Sequence, residues 1–250
     1  LRELILELAI RGKLDQSDPN DHPAEQQYEE ITTAKNRLIQ KGHINKPREL
    51  PPITEKECSF TVPQGWTWVR LGNLLRVING RAYKKHEMLD HGTPLLRVGN
   101  LFTSNTWYYS DLHLEDDKYI ESRDLIYAWS ASFGPFIWKG QRAIYHYHIW
   151  KLDLFDGTAV DKLFIYYYLN AITEKIKSSG NGIAMIHMTK SKMEELPLPL
   201  PPKAEQQRIV QKVDELMALC DRLEQQTSDQ LEAHETLVDT LLNTLTQSEN

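Results

Sequence analysis

Apolar residues recur at helical spacing from the first residue, with Leu1, Leu4, Ile5 and Leu8 on one face and Gly12 placed to cap the helix in the left-handed conformation. A second amphipathic segment runs from about Pro23 to Lys41. It has proline in its first turn and Gly42 just past its end, so a second helix is predicted there. The stretch "KPRELPPITEKECSFTVPQGW" holds four prolines and predicts an extended, irregular linker. From Phe60 to Tyr168 the period shortens. The runs "WTWVRL", "PLLRVGNL", "DLIYAWS" and "AIYHYHIWKLDL" read as strands between Gly, Pro, Asn and Asp turns, and "VDKLFIYYYLNAITEKIKS" reads as a helix closing them. This segment holds 22 of the 23 aromatic residues, a bias that belongs to a compact β-rich core.

After "LPLPLPP" the pattern is helical again. Ile209, Val213, Leu216, Cys220 and Leu223 step by four, three, four and three, and the series resumes at Leu231, Leu237 and Leu241. That spacing is the seam of a coiled coil. A helix of about 40 residues would reach roughly 60 Å, longer than a small domain is wide, so projection toward a partner helix is expected rather than an amphipathic helix lying on its own domain. The predicted fold is α+β, in three parts: a helical region and linker at 1–57, a β-rich domain at 58–202, and a long helix at 203–250.

With 250 residues and 40% hydrophobic content the chain can build a core. No run of about 18 apolar residues and no basic-then-apolar start is present, so neither a membrane span nor a secretion signal is expected. Cys58 and Cys220 lie far apart without metal-ligand spacing, which argues against a disulfide framework or zinc site and fits a reducing, cytoplasmic setting. A start at Leu1 inside a helical pattern suggests a processed chain or a piece of something longer. The net charge of −6 argues against a nucleic-acid partner until it is divided along the chain. Residues 204–250 carry three Lys/Arg against ten Asp/Glu, whereas residues 70–100 carry Arg70, Arg76, Arg81, Lys84, Lys85 and Arg97 against Glu87 and Asp90. From charge alone an ordinary solvated surface is favoured over a binding face.

The chemistry-bearing motifs are few. "GNGIAM" lacks the lysine and hydroxyl of a phosphate loop, so ATP hydrolysis is not expected. The chain also has neither an Asn/Asp-Pro-Pro-aromatic motif nor a glycine-rich strand-to-helix turn for a methyl-donor cofactor. Asp111, Glu115, Asp116 and Asp117 of "DLHLEDDKY" could serve a metal-dependent nuclease, but a charged loop between strands is the favoured reading. His146 and His148 of "IYHYHIW" fall on one face of a strand without a third ligand in register, so structural histidines are favoured over a metal site. No catalytic residue, metal site or cofactor is assigned.

Three loops carry a more coherent pattern. "NGRAYKKHEM" joins a glycine to Arg81, Tyr83, Lys84 and Lys85; cations there can neutralise phosphates or pair with guanine edges, and Tyr83 can pack on sugar or base. "WSASFGPFIWKG" supplies Ser130, Ser132 and Lys139 on a glycine-rich loop, and "SGNGIAMIHMTKSK" supplies His187, Thr189 and Lys190. Arg97 and Asn100 of "PLLRVGNL" complete the candidate DNA-binding set. A scaffold that grips another protein through its aromatic-rich domain is the competing class.

The segments "LPLPLPPKAEQQRIVQKVDELMALCDRLEQQ", "PQGWTWVRLGNL", "PLLRVGNL" and "LRELILELAIRGKLDQSDPND" resemble the DNA specificity subunit of type I restriction-modification systems, over nearly the whole chain. The resemblance implies a module without catalytic residues. In it a target recognition domain reads one half of a split site in double-stranded DNA, and helical regions hold two such domains apart as an antiparallel coiled coil. It further implies docking of methyltransferase (modification) subunits that flip and methylate the target adenine, and of motor-nuclease (restriction) subunits that carry the ATP-dependent endonuclease activity. Such subunits generally have two recognition domains. One domain here implies either half of a longer subunit or a natural half-subunit that pairs with a second copy through the long helices.

Overall fold

The computed structural model describes residues 1–130, 132–178 and 188–248. Two helices, α1 (Arg2–Ile10) and α2 (Ala24–Gln40), precede a β-rich segment with β1 (Thr67–Arg70), β2 (Leu75–Asn79), β3 (Thr93–Leu96), α3 (Val98–Phe102), β4 (Tyr108–Ser110) and β5 (Tyr119–Ile120). There follow β6 (Leu125–Ser130), β7 (Ser132–Ile137), β8 (Ala143–Tyr145), β9 (Ile149–Leu154), α4 (Lys162–Ser178), α5 (Lys190–Glu195), β10 (Pro197–Leu200) and α6 (Lys203–Ser248). The architecture is α+β, as the patterning predicts. Both N-terminal helices end where glycine was expected, at Gly12 (φ 64°) and Gly42 (φ 71°).

Two four-stranded sheets stack face to face, in the orders β2-β9-β6-β7 and β4-β3-β8-β5. Alternation along β6 and β9 decides which side chain enters which layer. Ile126 and Ile149 face Leu96, Ile120, Ala143 and Tyr145 of the second sheet. Leu125, Tyr127, Trp150 and Leu152 face the helices, in one cluster with Ile5, Ile31, Phe164, Tyr168, Ile209 and Val213. One hydrophobic core thus joins residues from all three predicted parts. Buried tyrosines of this layer are hydrogen-bonded, Tyr127 to Thr173 at 2.9 Å and Tyr168 to the Pro197 carbonyl at 2.8 Å.

The sequence reading misplaces three local elements. Val98–Phe102 of "PLLRVGNL" is a short helix, capped where the Asn100 side chain accepts from the Arg97 N–H. "WSASFGPFIWKG" is not a glycine-rich loop but strand β7, paired with β6; because β7 is an edge strand, Pro135 removes no ladder hydrogen bond. "AIYHYHIWKLDL" is two strands, because the chain leaves the second sheet after β8 and joins the first at β9, with a turn closed by Ile149 N–H to the His146 carbonyl at 2.9 Å. His146 and His148 therefore sit in a turn rather than on a strand face.

β1 pairs antiparallel with β10, which brings the two ends of the β-rich segment together. The Leu71 N–H donates to the Leu196 carbonyl at 2.9 Å and sets the phase, so Leu198 and Leu200 turn their N–H groups toward β1. Pro197 and Pro199 then place their donorless nitrogens on the outer edge, where no third strand can pair with them.

Immediately after this ribbon, three side chains of α6 tie the helix base to three places. Buried Gln206 accepts from the Asp161 N–H at 2.7 Å and donates to the Pro201 carbonyl at 2.9 Å. Arg208 bonds Asp15 at 2.6 Å and Asp21 at 2.8 Å in the α1–α2 connection. Buried Glu205 accepts from Ser17 at 3.4 Å, and desolvation raises its carboxyl above the usual range. Farther along α6, Tyr167 donates to Asp214, and Arg2 reaches Asp221 and Glu224, both at 2.7 Å.

The predicted coiled-coil seam divides accordingly. Ile209, Val213 and Cys220 are buried, and Leu216 is half-buried, against the chain's own helices, which corrects the expectation that these positions await another chain. From Leu223 to Val238 the apolar positions are open, Leu231 and Leu237 being 62% and 56% exposed. The Leu241 side chain lies outside the described set.

Candidate nucleic-acid interface

Four chain segments converge at one end of the sandwich, where β2, β3, β6 and β8 finish and β9 begins. Gly80 N–H donates to the Ile149 carbonyl at 3.1 Å, Arg81 N–H to Tyr145 at 3.1 Å and Tyr147 N–H back to Arg81 at 3.0 Å. His146 N–H donates to Leu96 at 2.9 Å and Trp129 N–H to His148 at 3.1 Å. Glycine is required at position 80 because a Cβ there would lie 2.3 Å from the His146 carbonyl oxygen. These bonds gather Arg81, Arg97, Trp129, Ser130 and the turn His146–Tyr147–His148 on one surface.

Arg81 holds Glu87 through two parallel bonds, Nη1 to Oε2 at 3.0 Å and Nη2 to Oε1 at 2.6 Å. Those bonds, with a third from the Lys84 N–H, hold the Glu87 carboxyl down to about 2, so the pair stays ionised at every ordinary pH. Arg81 lies over the Tyr83 ring at 5.1 Å, and exposed Arg97 lies over the Tyr108 ring at 5.3 Å. Lys84 and Lys85 are exposed beside them.

Tyr147 is 39% exposed, and its ring lies 3.9 Å from that of His148 and 4.4 Å from that of His146. Trp129 backs the turn, 5.1 Å from the His148 ring, and its indole N–H donates to the Tyr147 carbonyl at 3.0 Å. Desolvation, then His148 and Arg97, bring His146 down to about 4; desolvation also lowers His148.

Several predicted contacts lie elsewhere. Tyr83 is buried with Leu95, Tyr119 and Ile144, so it supports Arg81 from beneath and cannot pack on a sugar or base. The Asn100 amide is engaged with the Ser104 and Thr106 carbonyls at 3.3 and 2.8 Å, which makes it a turn-former. Lys139 follows the far end of β7, about 20 Å from Ser130 along a six-residue strand. Thr189 caps α5, accepting from Lys192 N–H at 3.2 Å, and Lys190 pairs with Glu194 at 3.7 Å. That helix packs on Gly72 before β2, a strand's length of roughly 17 Å from Arg81. Ser132 faces Ser130 in the β6–β7 pairing, its side chain outside the described set, and His187 lies outside the described residues.

Sequence reasoning left Trp129 and Tyr147 unassigned and read the histidines on either side of Tyr147 as structural. Their signal is the run "YHYH", three polar-tipped aromatic side chains in succession after Tyr145, which a strand buried on both faces would not hold. The acidic loop does not gather a metal site: Asp116 pairs with Arg142 at 3.5 Å and Asp117 with Lys118 at 3.3 Å. Among the described residues no three His, Cys, Asp or Glu side chains are grouped to hold an ion, and no helix is long and apolar enough to cross a membrane.

A family model described as the type I restriction modification DNA specificity domain matches residues 63–233. The type I restriction enzyme EcoEI specificity subunit of Escherichia coli is 32% identical over all of this chain and 44% of its own length. The EcoAI specificity subunit of the same organism is 30% identical over 97% of this chain and 44% of its own length. The chain thus spans less than half the length of these relatives. Among solved structures, the HsdS subunit from Thermoanaerobacter tengcongensis superposes with a TM-score of 0.53 at 20% identity, over 81% of this chain and 46% of that one. A second, from work on complex assembly and conformational transition of the type I R-M system, gives 0.57 at 18% identity, over 82% of this chain and 50% of that one. At those identities the likeness is one of fold. The match over 63–233 is what establishes kinship: this chain belongs to the type I restriction-modification DNA specificity family.

Proposed function

We propose that this chain is a sequence-specific DNA-binding specificity module of a type I restriction-modification enzyme, reading one half of a bipartite target in double-stranded DNA. The reading rests on the convergence of Arg81, Arg97 and exposed aromatic residues on one surface in a member of this family. Arg81, Arg97, Lys84 and Lys85 contact phosphates and fix the register of the duplex. Residues 58–202 form the target recognition domain, with 1–57 as its helical support and 203–250 as spacer and docking region. The module is non-catalytic and works in the cytoplasm. Modification subunits carry the methyl transfer, restriction subunits carry the motor and nuclease, and both dock on the helical parts.

Duplex binding by the full chain at several salt concentrations tests the interface. The double variant Arg81→Ala/Lys84→Ala is expected to lower the slope of log affinity against log salt by nearly 2, about 0.9 for each phosphate that is no longer neutralised. An unchanged affinity and slope would mean that the DNA-binding loop is elsewhere. Self-pairing through the open half of α6 is the second expectation. Sedimentation at high concentration should show a dimer that Leu231→Glu/Leu237→Glu converts to monomer, and a wild-type chain that stays monomeric would count against pairing.

A further inference from the structure

We propose that the turn His146–Tyr147–His148, backed by Trp129, is the base-reading and specificity-determining element of the interface, with the flanking arginines serving as phosphate anchors. The inference rests on the DNA-binding reading above and assigns to one turn what that reading leaves to the whole surface.

Rigidity is the first argument. Direct readout needs side chains held to a fraction of an ångström, and backbone groups of this turn are tied to three other segments: Leu96, Arg81 and Trp129. The turn also has its own internal bond from Ile149 N–H to His146. Lys84 and Lys85, by contrast, are exposed, and long side chains of that kind suit phosphates better than base edges.

Chemistry is the second. Phosphate contact calls for positive charge, and this turn has none to offer near neutral pH, because desolvation and the neighbouring cationic and imidazole groups keep His146 unprotonated. A neutral imidazole presents one donor and one acceptor. It can therefore donate to a purine N7 or the guanine O6, and it can also accept from the exocyclic amine of adenine or cytosine, which a protonated ring or an arginine cannot do. Tyr147 adds a ring face and a hydroxyl between the two imidazoles. A polar-tipped aromatic cluster left open at the tip of a domain is the composition expected of a recognition surface rather than of solvated filler.

The test begins with methylation mapping in a genome carrying the intact system, which supplies the half-site. The full chain is then titrated with duplexes bearing that half-site or a scrambled one. Tyr147→Ala, His148→Ala and His146→Ala are each expected to lower the preference for the mapped half-site tenfold or more, leaving affinity for the scrambled duplex and its salt slope unchanged. Tyr147→Phe and His148→Gln, which keep the fold of the turn, should show a smaller but measurable loss, and melting curves identify any variant that unfolds. Full preference retained in these conservative variants and in every folded alanine variant would overturn the proposal while leaving DNA binding intact. A wild-type chain that binds neither duplex would overturn both the proposal and the reading beneath it.

Discussion

Replacing Arg70 by alanine is expected to destabilise the fold by on the order of 3 kcal/mol, the largest effect of any single side chain outside the apolar core. Arg70 is 4% exposed and bonds the Pro51, Pro52 and Glu195 carbonyls at 3.0, 2.8 and 2.5 Å, with both Glu57 oxygens at 2.6 and 3.0 Å. It pins the proline-rich linker against the β1–β10 ribbon, and truncation leaves several acceptors without a donor. Lysine should not rescue it, because a point charge cannot replace a planar fork of five N–H groups. The pH dependence has a definite sign. Hydrogen bonds from Arg70, then Thr54, bring the Glu57 carboxyl down to about 2 from an ordinary 4.5, so the stabilisation is fully present above about 4.5 and is lost as pH falls through 2. Urea unfolding should therefore show the gap between wild type and Arg70→Ala narrowing across that window, and a gap independent of pH would show that Glu57 contributes nothing through its charge.

The second large effect is on recognition. Gly80→Ala places a methyl group 2.3 Å from the His146 carbonyl oxygen and 2.5 Å from that of Tyr145, both backbone atoms. Relief requires the end of β2 to separate from the 145–147 segment, breaking the bonds through Arg81 that position the turn. The expected result is loss of roughly 100-fold or more in preference for the cognate half-site, the sum of two or more base contacts. Overpacking at this position should cost only about 1–3 kcal/mol of stability. Gly42→Ala is the control, since nothing lies within 4 Å of its Cβ although φ is 71°; it should weaken the fold slightly and leave DNA binding alone. Equal DNA binding by Gly80→Ala and wild type would show that this end of the sandwich does not face the duplex.

How far the sequence could be read depended on whether the deciding interaction was local. Helix ends at Gly12 and Gly42 were legible because a glycine cap acts within a turn of itself. The strand runs at 67–70 and 125–130 were legible because alternation and aromatic content sit in the run itself. The exchange of sheets at 146–148 was not, since a continuous apolar run looks the same whether one strand continues or two meet. Tyr83 illustrates a similar limit in the site: proximity to Arg81 and two lysines suggested a contact residue, while its burial is decided by Leu95, Tyr119 and Ile144 from other strands. Likewise, the heptad spacing in α6 marks an apolar face, but what covers it is a tertiary matter: the chain's own helices bury it at Ile209, Val213 and Cys220, and leave Leu223, Leu231 and Leu237 open.

The weld of Glu205, Gln206 and Arg208 at the base of α6 has a consequence for angular tolerance. The helix has 46 residues and so a length of roughly 69 Å. Buried Cys220 and the bonds of Arg2 hold the helix to the rest of the chain as far as Glu224, so the projecting arm is about 24 residues, roughly 36 Å. A tilt of about 5° where it leaves would swing the far tip by about 3 Å, close to one base-pair step of about 3.4 Å. A lever of that length converts small angular play into a change in the spacing it spans. On the proposed role of α6 as a spacer, a fixed distance between half-sites places its demand for stiffness on a few bonds where the helix leaves the domain, among them those of Arg2 and Arg208.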